Sequence, residues 1–181
     1  MGSMVRNCSK LISLDLSNFK TSSVTDFSCL FYGCVSLISI NLNNLNTSSA
    51  VDICNMFNSC ISLTSLNLSN FNTFYVTNMG HMFSYCRNLI LLDLSNFKVS
   101  SVKYLDNMFN GCSELISLDL SDFVTSSAIK MNSMFRDCRK LISLDLSNFD
   151  MKSVTDFNNM FNGCNANLIY CTGINSNING F

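Results

Sequence analysis

Cysteine returns every 26 residues: Cys8, Cys34, Cys60, Cys86, Cys112, Cys138 and Cys164. Thiols in such a column offer three chemistries: metal ligation, redox sensing or a ladder of disulfides. Structural zinc sites gather two close cysteine pairs, and this column offers none. Seven thiols cannot all pair with one another, and a parallel stack rarely meets disulfide geometry. The column therefore reads as small buried hydrophobes, each closing a short helical segment. Cys29, Cys54 and Cys171 stand outside it. Cys29 and Cys54 fall on the short-helix segment near its surface, where a thiol is open to reaction.

A second chemical column is polar: Asp15, Asn41, Asn67, Asp93, Asp119 and Asp145. It alternates with leucines, so it faces outward while they face in. Three consecutive carboxylates, Asp93, Asp119 and Asp145, repel one another when stacked about 5 Å apart. A cation, an amine or a basic partner relieves that repulsion; a solvated hydrogen-bonding ladder tolerates it. His81 is the single histidine and has no evident catalytic companions. The methionines Met56, Met82, Met108, Met134 and Met160, with Leu30 in the first unit, read as packing beside a phenylalanine column.

The elements that position these columns follow from the same period. Leucines recur at 11, 37, 63, 89, 115 and 141, and again at 16, 42, 68, 94, 120 and 146. Phe31, Phe57, Phe83, Phe109, Phe135 and Phe161 form an unbroken column. Residues 9–164 are six units of 26, and KLISLDLSNF stands identically at 10–19 and 140–149. Within a unit, Leu-x-x-Leu-x-Leu ends in the period of two of a strand with one buried face. Val24, Phe27, Phe31 and Cys34 then recur at steps of three and four, which predicts a short helix, with Ser23-x-x-Asp26 as its capping box. One coil cannot bury its apolar face alone, but a stack can.

The fold expected is an α/β repeat: a leucine-rich-repeat solenoid with a parallel β-sheet on one face and short helices or turns on the other. Met1-Gly2-Ser3 reads as a vector scar, residues 4–8 as a partial unit, 9–164 as the six full units, and 165–181 as a degenerate cap or frayed tail. In that tail Leu168 falls one residue late.

The unit LxxLDLSNFxTSxVTDMxxMFxGC resembles the BspA-like leucine-rich-repeat family, surface proteins with a 26-residue repeat. Here it stands as LISLDLSNFKTSSVTDFSCLFYGC at 11–34 and LISLDLSNFDMKSVTDFNNMFNGC at 141–164. The departure from ordinary leucine-rich repeats lies at Phe19, Leu45, Phe71, Phe97, Phe123 and Phe149, where an amide ladder usually caps the turn. The resemblance implies a cell-surface or secreted protein or lipoprotein that adheres to or binds other molecules, and it implies no catalytic residues.

The units differ, and specificity belongs where they differ. Between Cys34 and Cys86 the only acidic or basic residue is Asp52. The same zone carries Val35, Ile38, Ile61, Phe74, Tyr75 and Tyr85 at positions expected to be exposed or at the rim. Exposed aromatics in a charge-poor zone anchor protein or glycan partners. Arg87 and Arg139 share a column, with Arg136 and Lys140 nearby; this reads as a solvated rim. The net charge of −1 gives no electrostatic pull on nucleic acid or an anionic membrane, and no apolar run reaches the ~20 residues of a membrane span.

The function expected is therefore non-enzymatic binding of a protein or glycan at a cell surface, with no cofactor and no metal. The alternatives are a structural solenoid that self-associates head-to-tail through its open ends, and a cation-binding acidic ladder. An ice-binding array on Thr21, Thr47, Thr73 and Thr125 is a weaker one, since Val99 and Met151 interrupt that column.

Overall fold

The computed structural model describes residues 1–165 and 167–172. The chain winds as a stack of coils, and every inter-coil ladder keeps the 26-residue offset read from the sequence. One side is a parallel sheet of three strands in the order β1 (Ser117–Asp119), β2 (Ser143–Leu146) and β3 (Ile169–Thr172). Leu118 pairs with Leu144, and Leu144 with Tyr170. The ladder thus stays in register into residues 169–172, although the leucine there falls one position late.

The expected sheet is regular only at this end. In the earlier coils single bonds mark the same line, such as Ile38 N–H to Ile12 O at 3.3 Å and Ile90 N–H to Thr64 O at 3.1 Å. The segment is short because both of its ends are claimed. The Leu37 amide turns back to Cys34 O at 3.1 Å, and Asn41 Oδ1 accepts the Asn43 amide at 3.0 Å. The same two bonds close the segments of β1 and β2, so these strands too are only three and four residues long.

The opposite side contains no helix among the described residues. The expected short helix is a spiral of turns. Phe27, Cys29, Phe31 and Gly33 donate their amides to the next coil, at Asp52, Cys54, Met56 and Asn58, over 2.8–2.9 Å. The residues between them, Leu30, Tyr32 and Cys34, turn back three positions to Phe27, Cys29 and Phe31. Alternate amides therefore serve neighbouring coils, which an α-helix cannot do because its amides all point along one axis. Left-handed φ values at Cys29 (54°) and Gly33 (71°), repeated at Asn55, Ser59, His81 and Tyr85, produce the alternation. The 3–4 spacing was a true signal of which side chains point inward, but turns supply it. The capping box is likewise absent: Asp26 Oδ1 accepts the Ser28 amide at 2.8 Å, and Asp26 bridges Asp52 in a second parallel ladder that continues through Asn78, Tyr104, Lys130 and Asp156.

The core is a set of stacked columns. Phe31, Phe57, Phe83, Phe109, Phe135 and Phe161 stack face to face with centroids 5.3–5.9 Å apart. The five methionines, Leu30, and Leu16 through Leu146 are buried beside them. Leu45, Phe71, Phe97, Phe123 and Phe149 are buried as a second spine, while Phe19, in the first unit, is exposed. An amide ladder does exist, one residue earlier. Asn96 Nδ2 donates to Leu68 O and Phe71 O at 3.1 and 2.8 Å, and Asn70 Nδ2 to Leu42 O at 2.9 Å.

The threonine column faces inward. Thr47 Oγ1 donates to Asn72 O at 3.0 Å and accepts the Asn72 amide at 2.8 Å. Thr21, Thr73 and Thr125 do the same to Asn46, Lys98 and Asp150. Buried hydroxyls engaged this way offer nothing to an ice lattice, so that reading falls.

Candidate partner-binding surface

Each polar residue of the strand face makes the same local bond. Asp15 Oδ1 accepts the Ser17 amide at 2.8 Å, and Asn41, Asn67, Asp93, Asp119 and Asp145 repeat this two residues on, at 2.8–3.0 Å. Asn and Asp serve alike because the turn needs only a carbonyl-type oxygen. The Ser17, Ser95 and Ser121 amides hold the Asp15, Asp93 and Asp119 carboxyls below their ordinary value; for Asp119 the charge of Asp93 opposes this only as the smallest contribution. Asp15, Asp93 and Asp119 therefore stay ionised at neutral pH.

The six candidate anchors fall on three segments of the coil: the turn after Thr73, the end of the return spiral and the start of the strand segment. Phe74 and Tyr75 are each 61% exposed and meet edge-to-face, with centroids 5.0 Å apart, in the turn that follows Thr73. The Phe74 amide is fixed by Asn72 Oδ1 at 3.0 Å. Tyr85 is exposed near the end of the return spiral, with the Arg87 guanidinium 6.0 Å from its ring centroid. Ile38 is exposed at the start of the strand segment. Val35 and Ile61 are half-buried neighbours in one column.

Ile38 belongs to a stripe that reading the units for their differences missed. Ile12, Ile38, Ile90, Ile116 and Ile142 are all exposed, with Thr64 as the one interruption, and Leu91 is exposed beside Ile90. Coils about 4.8 Å apart make this an apolar stripe running alongside the Asp/Asn ladder. The signal was present: isoleucine follows the first leucine of LxxLxL in five of six units. A helix or strand with two buried faces would explain such residues as core; only the outward direction of this position makes them surface.

The thiol column behaves as packing with a directional bond. Cys34, Cys60, Cys86, Cys112 and Cys138 are buried and free, whereas Cys8 is exposed. Cys54 is half-buried, and burial, reinforced by the Asp52 carboxylate, pushes its thiol up to about 12, which disfavours the thiolate at neutral pH. No cluster of three or more His, Cys, Asp or Glu side chains among the described residues is arranged to hold a metal ion. His81 pairs with Asp106 at 3.5 Å, and that hydrogen bond holds the Asp106 carboxyl below its ordinary value.

The family described as "Mycoplasma protein of unknown function, DUF285" matches residues 1–113 and 90–171. No curated protein matches the chain. Among solved structures it is similar to a leucine-rich-repeat protein of T. pallidum, at 24% identity and a TM-score of 0.53, over 79% of this chain. The chain spans 60% of that protein's length. This likeness shows the leucine-rich-repeat fold. The BspA-like resemblance rests on the repeat motif itself.

Proposed function

This chain belongs to the DUF285 family, and on that footing we propose that it is a non-enzymatic binding module of a cell surface or secreted protein. Its partner is a protein or glycan held against the repeated strand face. The observation that carries this reading is the stripe of exposed isoleucines beside the ionised Asp/Asn ladder. Apolar stripes rimmed by polar side chains are the usual anatomy of an interaction surface. The Asx turns hold the strand-face backbone in one shape, so little order is lost on binding. The Phe74–Tyr75 pair adds a local aromatic anchor where most other units carry two serines.

The experiment probes peptide and glycan arrays with the labelled chain and with an Ile90→Asn/Ile116→Asn/Ile142→Asn variant. These side chains leave the core untouched, so the melting temperature should hold while the wild-type hits disappear. A variant that keeps the same hits removes the strand face from the reading.

A further inference from the structure

A hollow of about 280 Å³ lies where the return spiral turns toward the strand, lined by Tyr85, Arg87, Gly111, Ser113, Asp137 and Arg139. It spans three coils through two columns, Tyr85/Gly111/Asp137 and Arg87/Ser113/Arg139. The outer coils bring large side chains and the middle coil brings Gly111 and Ser113, which leaves the space. A Cβ on Gly111 would stand 2.8 Å from Tyr85 Cδ1, so the tyrosine ring lies over the middle coil.

Two observations set this hollow apart from the rest of the surface. First, Tyr85 sits at φ 58°, in a column whose other members are Asn7, Gly33, Ser59, Gly111, Asp137 and Gly163. A bulky aromatic in the left-handed region is strained, and retained strain points to use. Second, Arg87 has no carboxylate partner among the described residues. Arg136 and Arg139 share Asp137 at 3.6 and 3.2 Å, and Lys140 meets Glu114 at 2.6 Å. No carboxylate of the described residues lies within ion-pair distance of Arg87; its guanidinium stands over the Tyr85 ring.

We propose that this hollow binds an acidic sugar unit, a single pyranose ring bearing a carboxylate. The guanidinium fork of Arg87 matches a carboxylate. The Tyr85 ring contributes apolar surface to the C–H side of the sugar. Ser113 and Asp137 supply a hydroxyl and a carboxylate to the ring hydroxyls. The volume lies just below the about 300–1,000 Å³ of drug-sized ligand pockets, so it suits one ring and not a folded chain. The proposal rests on the binding-module reading but not on the isoleucine stripe.

The test is calorimetric titration with glucuronate, alongside glucose, which lacks the carboxylate, and acetate, which lacks the ring. Glucuronate should bind at least about tenfold more tightly than either. Arg87→Ala and Tyr85→Asn should each weaken glucuronate by about tenfold or more without lowering the melting temperature. The triple isoleucine variant should bind glucuronate as wild type does, which separates failure here from failure of the strand face. Glucose or acetate binding as tightly as glucuronate overturns the proposal. So does an Arg87→Ala variant with unchanged affinity, or no binding up to about 10 mM.

Discussion

Cys60 Sγ lies 3.1 Å from the carbonyl oxygen of Phe31, one coil earlier, and the same oxygen accepts the Cys34 amide at 3.1 Å. The bond recurs from Cys34 to Val5, Cys86 to Phe57, Cys112 to Phe83, Cys138 to Phe109 and Cys164 to Phe135. Each thiol thus fills the second lone pair of a carbonyl that closes a turn in the coil before it. Cysteine suits the position because it is small, apolar and still a weak donor.

Replacing Cys86 by alanine removes that donor and leaves a sulfur-sized gap. Unfolding in urea should show a loss of about 1–2 kcal/mol. Cys8→Ala, at an exposed thiol, should stay within about 0.5 kcal/mol of wild type. Equal losses at both positions would mean that the column contributes no packing of its own.

Thr73 Oγ1 serves two backbone groups of Lys98, donating at 3.0 Å and accepting at 2.7 Å. Thr73→Val should therefore cost about 1–3 kcal/mol, with an unchanged urea m-value. Val99 shows the other possible outcome. There the next coil's Val124 amide turns to Asp122 O at 3.0 Å. A loss under about 0.5 kcal/mol in Thr73→Val would show that Lys98 re-pairs in the same way.

The chain should lose stability in acid. Hydrogen bonds from Ser17, Ser28, His81, Ser95 and Ser121 hold Asp15, Asp26, Asp106, Asp93 and Asp119 below the ordinary carboxyl value near 3.8. Groups whose folded pKa is depressed stabilise the fold above their unfolded value and lose that contribution as pH falls through the folded one. Melting temperatures measured from pH 6 downward should be flat to about pH 4 and fall below it. Asp93→Asn/Asp119→Asn keeps the turn acceptor, as Asn41 and Asn67 already do. It should match wild type at neutral pH and fall less steeply in acid; an identical acid profile would clear these carboxylates.

Tyr85→Asn replaces a strained aromatic by a residue that adopts the left-handed region readily, as Asn7 does at φ 59°. Stability should rise by about 1 kcal/mol, read by urea unfolding. A gain in stability joined to a loss of glucuronate binding is the trade-off expected of a residue kept for its ligand. A loss of stability would show that the ring's contact with Gly111 outweighs the backbone strain.

Much of the fold was legible because repetition does the work of an alignment within one chain. Identical units stacked in register must place residue i beside i+26, so the columns of Leu16, Phe31, Met56 and Cys60 could be assigned to the core from spacing alone. The candidate site was less legible. Phe74 and Tyr75 stood out because they replace serines, but Ile12, Ile90, Ile116 and Ile142 repeat so faithfully that they resembled wall. An apolar residue beside a core leucine carries no mark of its direction until the path of the backbone is known.

The amino-acid sequence by itself determined the period, the solenoid and the set of side chains that stack. Those follow from periodicity and from the need of each coil to bury its apolar face against the next. Only the tertiary structure decided the path of the chain between columns. Alternate amides from Phe27 to Gly33 reach the following coil, and that cross-coil bonding displaced the helix which local spacing favoured. Tertiary structure also decided that the isoleucine column faces solvent and where a hollow forms. Tyr85, Gly111 and Asp137 are 26 residues apart in the chain, and they define one space only because the stack sets three coils side by side.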